Sequence, residues 1–345
     1  MREKLARILK EAAERERRRK ELAASLRQKP DLLLPEALER ELIRKVEYNP
    51  PNGRIVAVDG GLVAQEFHGV DLVLSRAVAV LFEYDNGALV NYAYHPGAFP
   101  EPDADSLSAL DTHDFNLHKS LFRLKKELAC ASEALNKWSP HALLLDGSLV
   151  PQLADRPGEE SELKQLYREV VEAFISLYNL SISAGCMLIG IVKDSRGKRF
   201  VELLARALGE PIDANDTSFL HFLLAKGERT SALPLSSPTA QHSILKDFGV
   251  WGGRIAVLYV KPGAQDRPLR AEFIWGAVQP DAVASLTYAL ACINEKYAYP
   301  AVLIEADLRA ALERDELERI YRELVLTAGL SASALRLRRD SRPFR

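Results

Sequence analysis

Two aspartates stand out by their setting. Asp59 follows the apolar run Ile55-Val56-Ala57-Val58 and precedes Gly60 and Gly61, while Asp146 follows Leu143-Leu144-Leu145 and precedes Gly147 and Ser148. A carboxylate at the tip of a buried strand is suited to hold a divalent cation against a phosphate, because hard cations take oxygen ligands. Adjacent glycines let a phosphate come close. Each Asp-Gly pair taken alone also fits an ordinary turn, since Asp bonds its own backbone and Gly tolerates left-handed geometry. Glu127 falls between the two aspartates in a helical stretch and would approach from the side; Glu133 in the same stretch competes for that role. Arg123, one turn before Glu127 on the same face, favours Glu127. Carboxylates gathered in this way repel one another, and a cation relieves the repulsion.

The elements that must position these residues follow from periodicity. After the break at Asn49-Pro50-Pro51-Asn52-Gly53, residues 55–58, 75–84 and 88–94 have strand patterns, the last two joined by a hairpin at Asp85-Asn86-Gly87. A polar loop over 97–110 leads to a helix over 112–137, N-capped by Asp111 or Thr112. Residues 142–149 form a continuous apolar strand, 159–184 a helix and 187–193 another apolar strand. The order β-β-β-α-β-α-β is that of an RNase H-like fold: an α/β protein with a mixed sheet of five or more strands flanked by helices. In that order Asp59 ends the first strand and Asp146 the fourth. Downstream, helices are expected over 200–208, 218–225, 281–296, 302–312 and 315–328, with strands over 254–261 and 269–275. Residues 1–48 are expected to form an N-terminal helical arm, 49–330 the catalytic domain, and 331–345 a basic tail.

Composition bounds the partners. The 345 residues are 47% hydrophobic and 27% charged with a formal net charge of -2, so any polyanion must be met by a local patch. Cys130, Cys186 and Cys292 are odd in number and widely spaced, which argues for buried thiols and against a disulfide or zinc framework. The charged N-terminus lacks the apolar centre of a signal peptide, and no run has membrane-spanning length. A cytoplasmic protein is expected.

Five blocks, in order, resemble the NurA nuclease family: Val58-Asp59-Gly60-Gly61; Arg123 with Glu127; Leu145-Asp146-Gly147-Ser148-Leu149; Val192-Lys193-Asp194-Ser195; and Tyr299-Pro300 followed by Leu303-Ile304-Glu305-Ala306-Asp307. The resemblance covers residues 55–312. It implies an RNase H-like DNA nuclease that depends on manganese or magnesium, cuts as a 5'-3' exonuclease and single-strand endonuclease, dimerises, and works with the hexameric translocase HerA on DNA ends in recombinational repair. It also implies Asp59, Glu127 and Asp146 as metal-binding carboxylates and Tyr299 as a site tyrosine. The family commonly has His where this chain has Asp307, which is still a hard oxygen ligand and is expected to join the metal set. Lys193 is the expected phosphate-binding cation, its alternative being a strand-end lysine in solvent. Asp194 would orient Lys193 or approach the metal, and Ser195 would cap the next turn.

Other constellations weigh less. Asp111, His113, Asp114 and His118 fit a helix cap better than a metal site. No HExxH or Gly-x-Ser-x-Gly is present. Tyr92, Tyr94 and Trp251 suit base stacking or a core equally, and Arg336, Arg338, Arg339, Arg342 and Arg345 suit a polyanion or a solvated end. Two further functions stay open: a non-catalytic RNase H-like DNA-binding or scaffold subunit, and an actin-like kinase, for which Leu62-Val63-Ala64 after the glycines is a poor phosphate loop.

Overall fold

A computed structural model of the chain describes residues 2–29, 32–66, 70–108, 111–237 and 243–328. The arginines from Arg336 onward lie outside them. The chain opens with helix α1 (Arg2–Arg27) and the short strand β1 (Ile43–Lys45), then β2 (Gly53–Glu66), β3 (Val70–Asp85), β4 (Ala88–His95) and β5 (Asp103–Ser108). Helix α2 (Thr112–Trp138), β6 (Ala142–Asp146), α3 (Lys164–Ser183) and β7 (Met187–Val192) follow. The second half adds α4 (Arg199–Leu208), α5 (Asp216–Leu223), β8 (Glu228–Thr230), β9 (Leu233–Pro234), α6 (Ser243–Asp247), β10 (Ile255–Lys261) and β11 (Leu269–Ile274). Helices α7 (Pro280–Ala291), α8 (Ala301–Ala310) and α9 (Arg314–Ala328) come last.

Among the described residues one 11-stranded sheet runs β1-β8-β10-β11-β7-β6-β2-β3-β4, with β5 beside β3 and β9 beside β10. Within it β2, β6 and β7 are parallel neighbours, and β3 and β4 add to β2 as antiparallel strands. That is the predicted RNase H-like order. Alternation along β2 sends Val56 and Val58 into a core shared with α2 and α3, and Ile55 and Ala57 into one shared with α7 and α8. Burial on both faces explains why these strands are continuous apolar runs.

Several elements differ from expectation. Asp59 does not end its strand: β2 continues to Glu66, paired with β3 throughout. What ends at this level is the neighbour, since Val58 with Leu145 is the last β2–β6 pair. The polar stretch after Gly97 contains strand β5, which pairs with residues 70–75 of β3 beyond the reach of β4. Its residues, Asp103-Ala104-Asp105-Ser106-Leu107-Ser108, are mostly polar, as suits a sheet edge, so they carried little strand signal. Ile43–Lys45, within the expected helical arm, pairs as a strand with β8. Strand β6 stops at Asp146, because Gly147 adopts φ +142°, and α3 and α7 are shorter than their patterns suggested.

Candidate metal centre

The register carries Asp59 and Asp146 to one spot. They are the residues after the last β2–β6 pair on two parallel strands, so they sit side by side on the face covered by α8. Asp307 projects from α8, and one carboxylate oxygen from each of the three lies within 4.8 Å of the others. Among the described residues this is the one such group of His, Cys, Asp or Glu. The expected fourth ligand, Glu127, is next to the triad but not in it. It comes from α2 on the opposite face of the sheet, is 8% exposed, and is held by Arg123 Nη1 at 2.6 Å. Glu133 turns outward to His95, 2.8 Å away, which settles the choice between the two acids for proximity to the site.

The two glycines after Asp59 explain how both helices approach. A Cβ on Gly60 would meet the Glu127 side chain, with Cγ at 2.6 Å, and a Cβ on Gly61 would meet the Ala310 carbonyl group, with its carbon at 2.7 Å. Gly60 thus admits Glu127 from one face, and Gly61 seats the end of α8 on the other. Neither glycine makes a turn, and the space expected for a phosphate is filled by protein. Only Gly147 holds the positive φ anticipated for an Asp-Gly turn. Gly61→Ala is expected to lower stability by about 2 kcal/mol or more, since rigid backbone must move. Urea unfolding checks this, and an unchanged midpoint would mean that α8 does not rest there.

Buried Arg76 reinforces the seat of α8. Its guanidinium donates to the carbonyls of Ala310 (3.3 Å) and Ala311, and pairs with Glu316 at 3.0 Å. A cation on the last carbonyls opposes the negative end of the helix. Arg76 thereby fixes the helix that carries Asp307.

Lys193 and Tyr299 converge on Asp146. Lys193 Nζ lies 2.8 Å from Oδ2, the Tyr299 hydroxyl donates to Oδ1 at 2.9 Å, and the ammonium sits 4.9 Å from the Tyr299 ring centre. Asp194 instead faces solvent and pairs loosely with Arg267 at 3.5 Å, so it neither orients Lys193 nor reaches the triad. Ser195 Oγ accepts from Gly197 N at 3.2 Å, the predicted cap. Asp111 caps α2 through the amides of His113 and Asp114 at 2.8 and 2.9 Å.

A second buried network holds the two loops that carry Asp146 and Lys193, and no motif announced it. Glu272, fully buried in β11, accepts Ser148 Oγ at 2.7 Å and Leu149 N at 2.9 Å with one oxygen. Its other oxygen takes Arg270, which also reaches Ser195 Oγ at 3.3 Å. The only trace in the sequence is a pair of charges, Arg270 and Glu272, inside an otherwise apolar strand.

The electrostatics are those of a site short of positive charge. Burial, then the charges of Asp146 and Glu127, push Asp59 up to about 8 despite a hydrogen bond from Gly60 N. Burial raises Glu127 to about 7, with Arg123 opposing and Asp146 adding. Asp146 is also raised, chiefly by burial, against the pull of Lys193 and Tyr299. Burial alone would lower Lys193, but Asp146, Asp307 and Asp59 hold it above its ordinary value. Asp146 Oδ2 is buried and accepts nothing from the described residues beyond the Lys193 ion pair. Three hard oxygens within reach of one point, mutually repelling and with one under-satisfied, fit a divalent cation of the magnesium or manganese type.

An RNase H-like sheet with carboxylates clustered where parallel pairing ends defines the class of metal-assisted nucleic-acid hydrolases. The chain belongs to the NurA family: the NurA domain matches residues 53–312. The fold is similar to that of the NurA nuclease from Sulfolobus solfataricus, at 18% identity and TM-score 0.57 over 84% of this chain and 89% of that one. It is also similar to a NurA structure at 12% identity and TM-score 0.57, covering 97% and 100% of the two chains, and to NurA bound to dAMP and manganese at 10% identity and TM-score 0.53, covering 84% and 91%. At these identities the likeness is one of fold. No curated protein matches the chain.

Proposed function

We propose that the protein is a manganese-dependent DNA nuclease, with magnesium as the alternative cation, acting as a 5'-3' exonuclease and single-strand endonuclease. The single observation that carries this is the convergence of Asp59, Asp146 and Asp307 from two strands and a helix onto one point. These three would hold the cation, with Glu127 as a flanking carboxylate of the same site. A divalent ion bound there supplies acidity to a water and neutralises charge on a phosphate oxygen.

The chain's own residues do the rest. Tyr299 and Lys193 fix the orientation of Asp146 through its two oxygens. Tyr299 stays a neutral donor, since burial and then Asp146 raise its hydroxyl well above the ordinary value. Lys193, kept protonated by the acids around it, can exchange Asp146 for a phosphate oxygen of the substrate. Arg123 pairs with Glu127 in the free protein.

Asp307 inside the cluster favours catalysis over a non-cutting scaffold role. The space beside Gly60 and Gly61, taken by Glu127 and α8, leaves no phosphate loop of the kinase kind. Family membership supports a homodimer working with a HerA-type hexameric translocase on DNA ends. No described helix is long and apolar enough to cross a membrane.

The test is incubation of end-labelled single- and double-stranded DNA with the purified protein in manganese, magnesium or EDTA, with and without the translocase. Fragments are expected with metal and not in EDTA. Intact DNA under every metal condition, with DNA binding retained, would instead support the scaffold role.

A further inference from the structure

Helix α1 is out of keeping with the rest of the chain. Arg2–Arg27 contains ten Lys or Arg and five Glu, a net +5 in a protein whose total is -2. It is anchored at its C-terminal end, where Ala23 and Leu26 are buried against α5. Towards its N-terminus the helix stands exposed, with Leu5, Ile8 and Leu9 each about half accessible or more.

Between these ends α1 walls one side of a cavity of about 850 Å³, contributing Ala12, Glu16 and Arg19. The other side is built from Asp194, Ser195 and Arg196, which directly follow the site lysine Lys193, and from Arg267. The acids here are already engaged. Glu16 is paired with Lys20 at 2.6 Å, Asp194 with Arg267, and Asp266 accepts the amides of Arg267 and Ala298 at 2.7 Å each. Arg196 is exposed and has no ion pair among the described residues. The groove therefore offers the unpaired charge of Arg196, three residues along the chain from Lys193, and is walled on its other side by a basic helix.

We infer that this groove and α1 form a binding track for the phosphate backbone of a single nucleic-acid strand on its way to or from the metal centre. Charge complementarity selects the occupant: a polyanion gains from a +5 helix, and its backbone can follow a basic groove without sequence preference. The proposal rests on the nuclease reading of the centre. It assigns α1 a part in substrate binding that the catalytic triad does not require.

The experiment uses the full chain carrying Lys10→Glu, Arg18→Glu and Arg196→Glu, three exposed positions outside the metal centre. Binding of a fluorescent 30-nucleotide single strand is followed by anisotropy in EDTA, so that no cleavage is needed, across a salt series. Hydrolysis of a small nitrophenyl phosphodiester in manganese is measured alongside. The triple variant is expected to bind the strand at least ten-fold more weakly. Its log-log salt slope should be shallower by about 0.7 for each phosphate that is no longer neutralised. It should hydrolyse the small diester at the unaltered rate. Unchanged strand affinity, or weaker binding with an unchanged salt slope, would overturn the proposal and leave α1 to a protein partner. Absence of diester hydrolysis by both proteins would count against the nuclease reading alone, leaving the binding result to stand.

Discussion

Asp146→Asn is expected to abolish metal-dependent DNA cleavage, lowering the rate on the order of a thousand-fold or more, while the protein stays folded. The loss is large because Asp146 is where three interactions meet: one of the triad oxygens, the Lys193 ion pair and the Tyr299 hydrogen bond. An amide removes the negative charge that draws the cation, and it presents an NH2 group to Lys193 or to the tyrosine. Tyr299→Phe removes only the donor that steadies Asp146 and is expected to cost about 10–100-fold, as is usual when a group that orients a ligand is lost. Initial rates on a labelled oligonucleotide at saturating manganese, with circular dichroism to confirm folding, separate the two. Cleavage by Asp146→Asn within ten-fold of the unaltered protein would end the assignment of the triad as the catalytic metal centre.

The metal-free protein should lose stability as pH rises from about 4 to 8, and manganese should restore it. Asp59 has a folded-state value of about 8 against an ordinary 3.8. A carboxyl whose value is raised on folding gives a contribution that is whole below the unfolded value and disappears as pH climbs through the folded one. Glu127, raised to about 7 from 4.5, acts in the same direction over a narrower window. A tenfold difference in proton affinity between the folded and unfolded chain corresponds to about 1.4 kcal/mol, so a loss on the order of 5 kcal/mol is expected across this range. Asp59→Asn should flatten the dependence by removing the group that must ionise. A cation that binds only the folded state adds about 2.7 kcal/mol at a hundred times its dissociation constant. Thermal unfolding in EDTA at intervals from pH 4 to 8, repeated with manganese, measures both effects. A metal-free melting temperature that rises steadily over the interval would contradict the electrostatics described for the cluster.

Much of this was legible in the chain, and the exceptions are instructive. Runs such as Ile55-Val56-Ala57-Val58 and Leu143-Leu144-Leu145 read as buried strands from their short length and apolar content, so their order with the intervening helices implied the sheet. Edge strand β5 and three-residue β1 were not legible, because edge and very short strands need neither alternation nor apolar residues to pair. Asp59, Asp146, Lys193, Tyr299 and Asp307 could be picked by type and by family resemblance. Glu272, Arg270 and Arg76 could not, since a buried charge in an apolar strand has meaning only once its partners are known.

The sequence alone determined the strand and helix order and the candidate acids, because periodicity and side-chain chemistry are local properties. Tertiary structure decided which acids share a point. Parallel register aligned Asp59 with Asp146; Gly61 and Arg76 seated α8 so that Asp307 completes the triad; Gly60 brought Glu127 up from the opposite face, beside the group and outside it. Those choices depend on contacts between residues from about 70 to 250 positions apart, and on the space a missing Cβ leaves, which spacing along one chain does not encode.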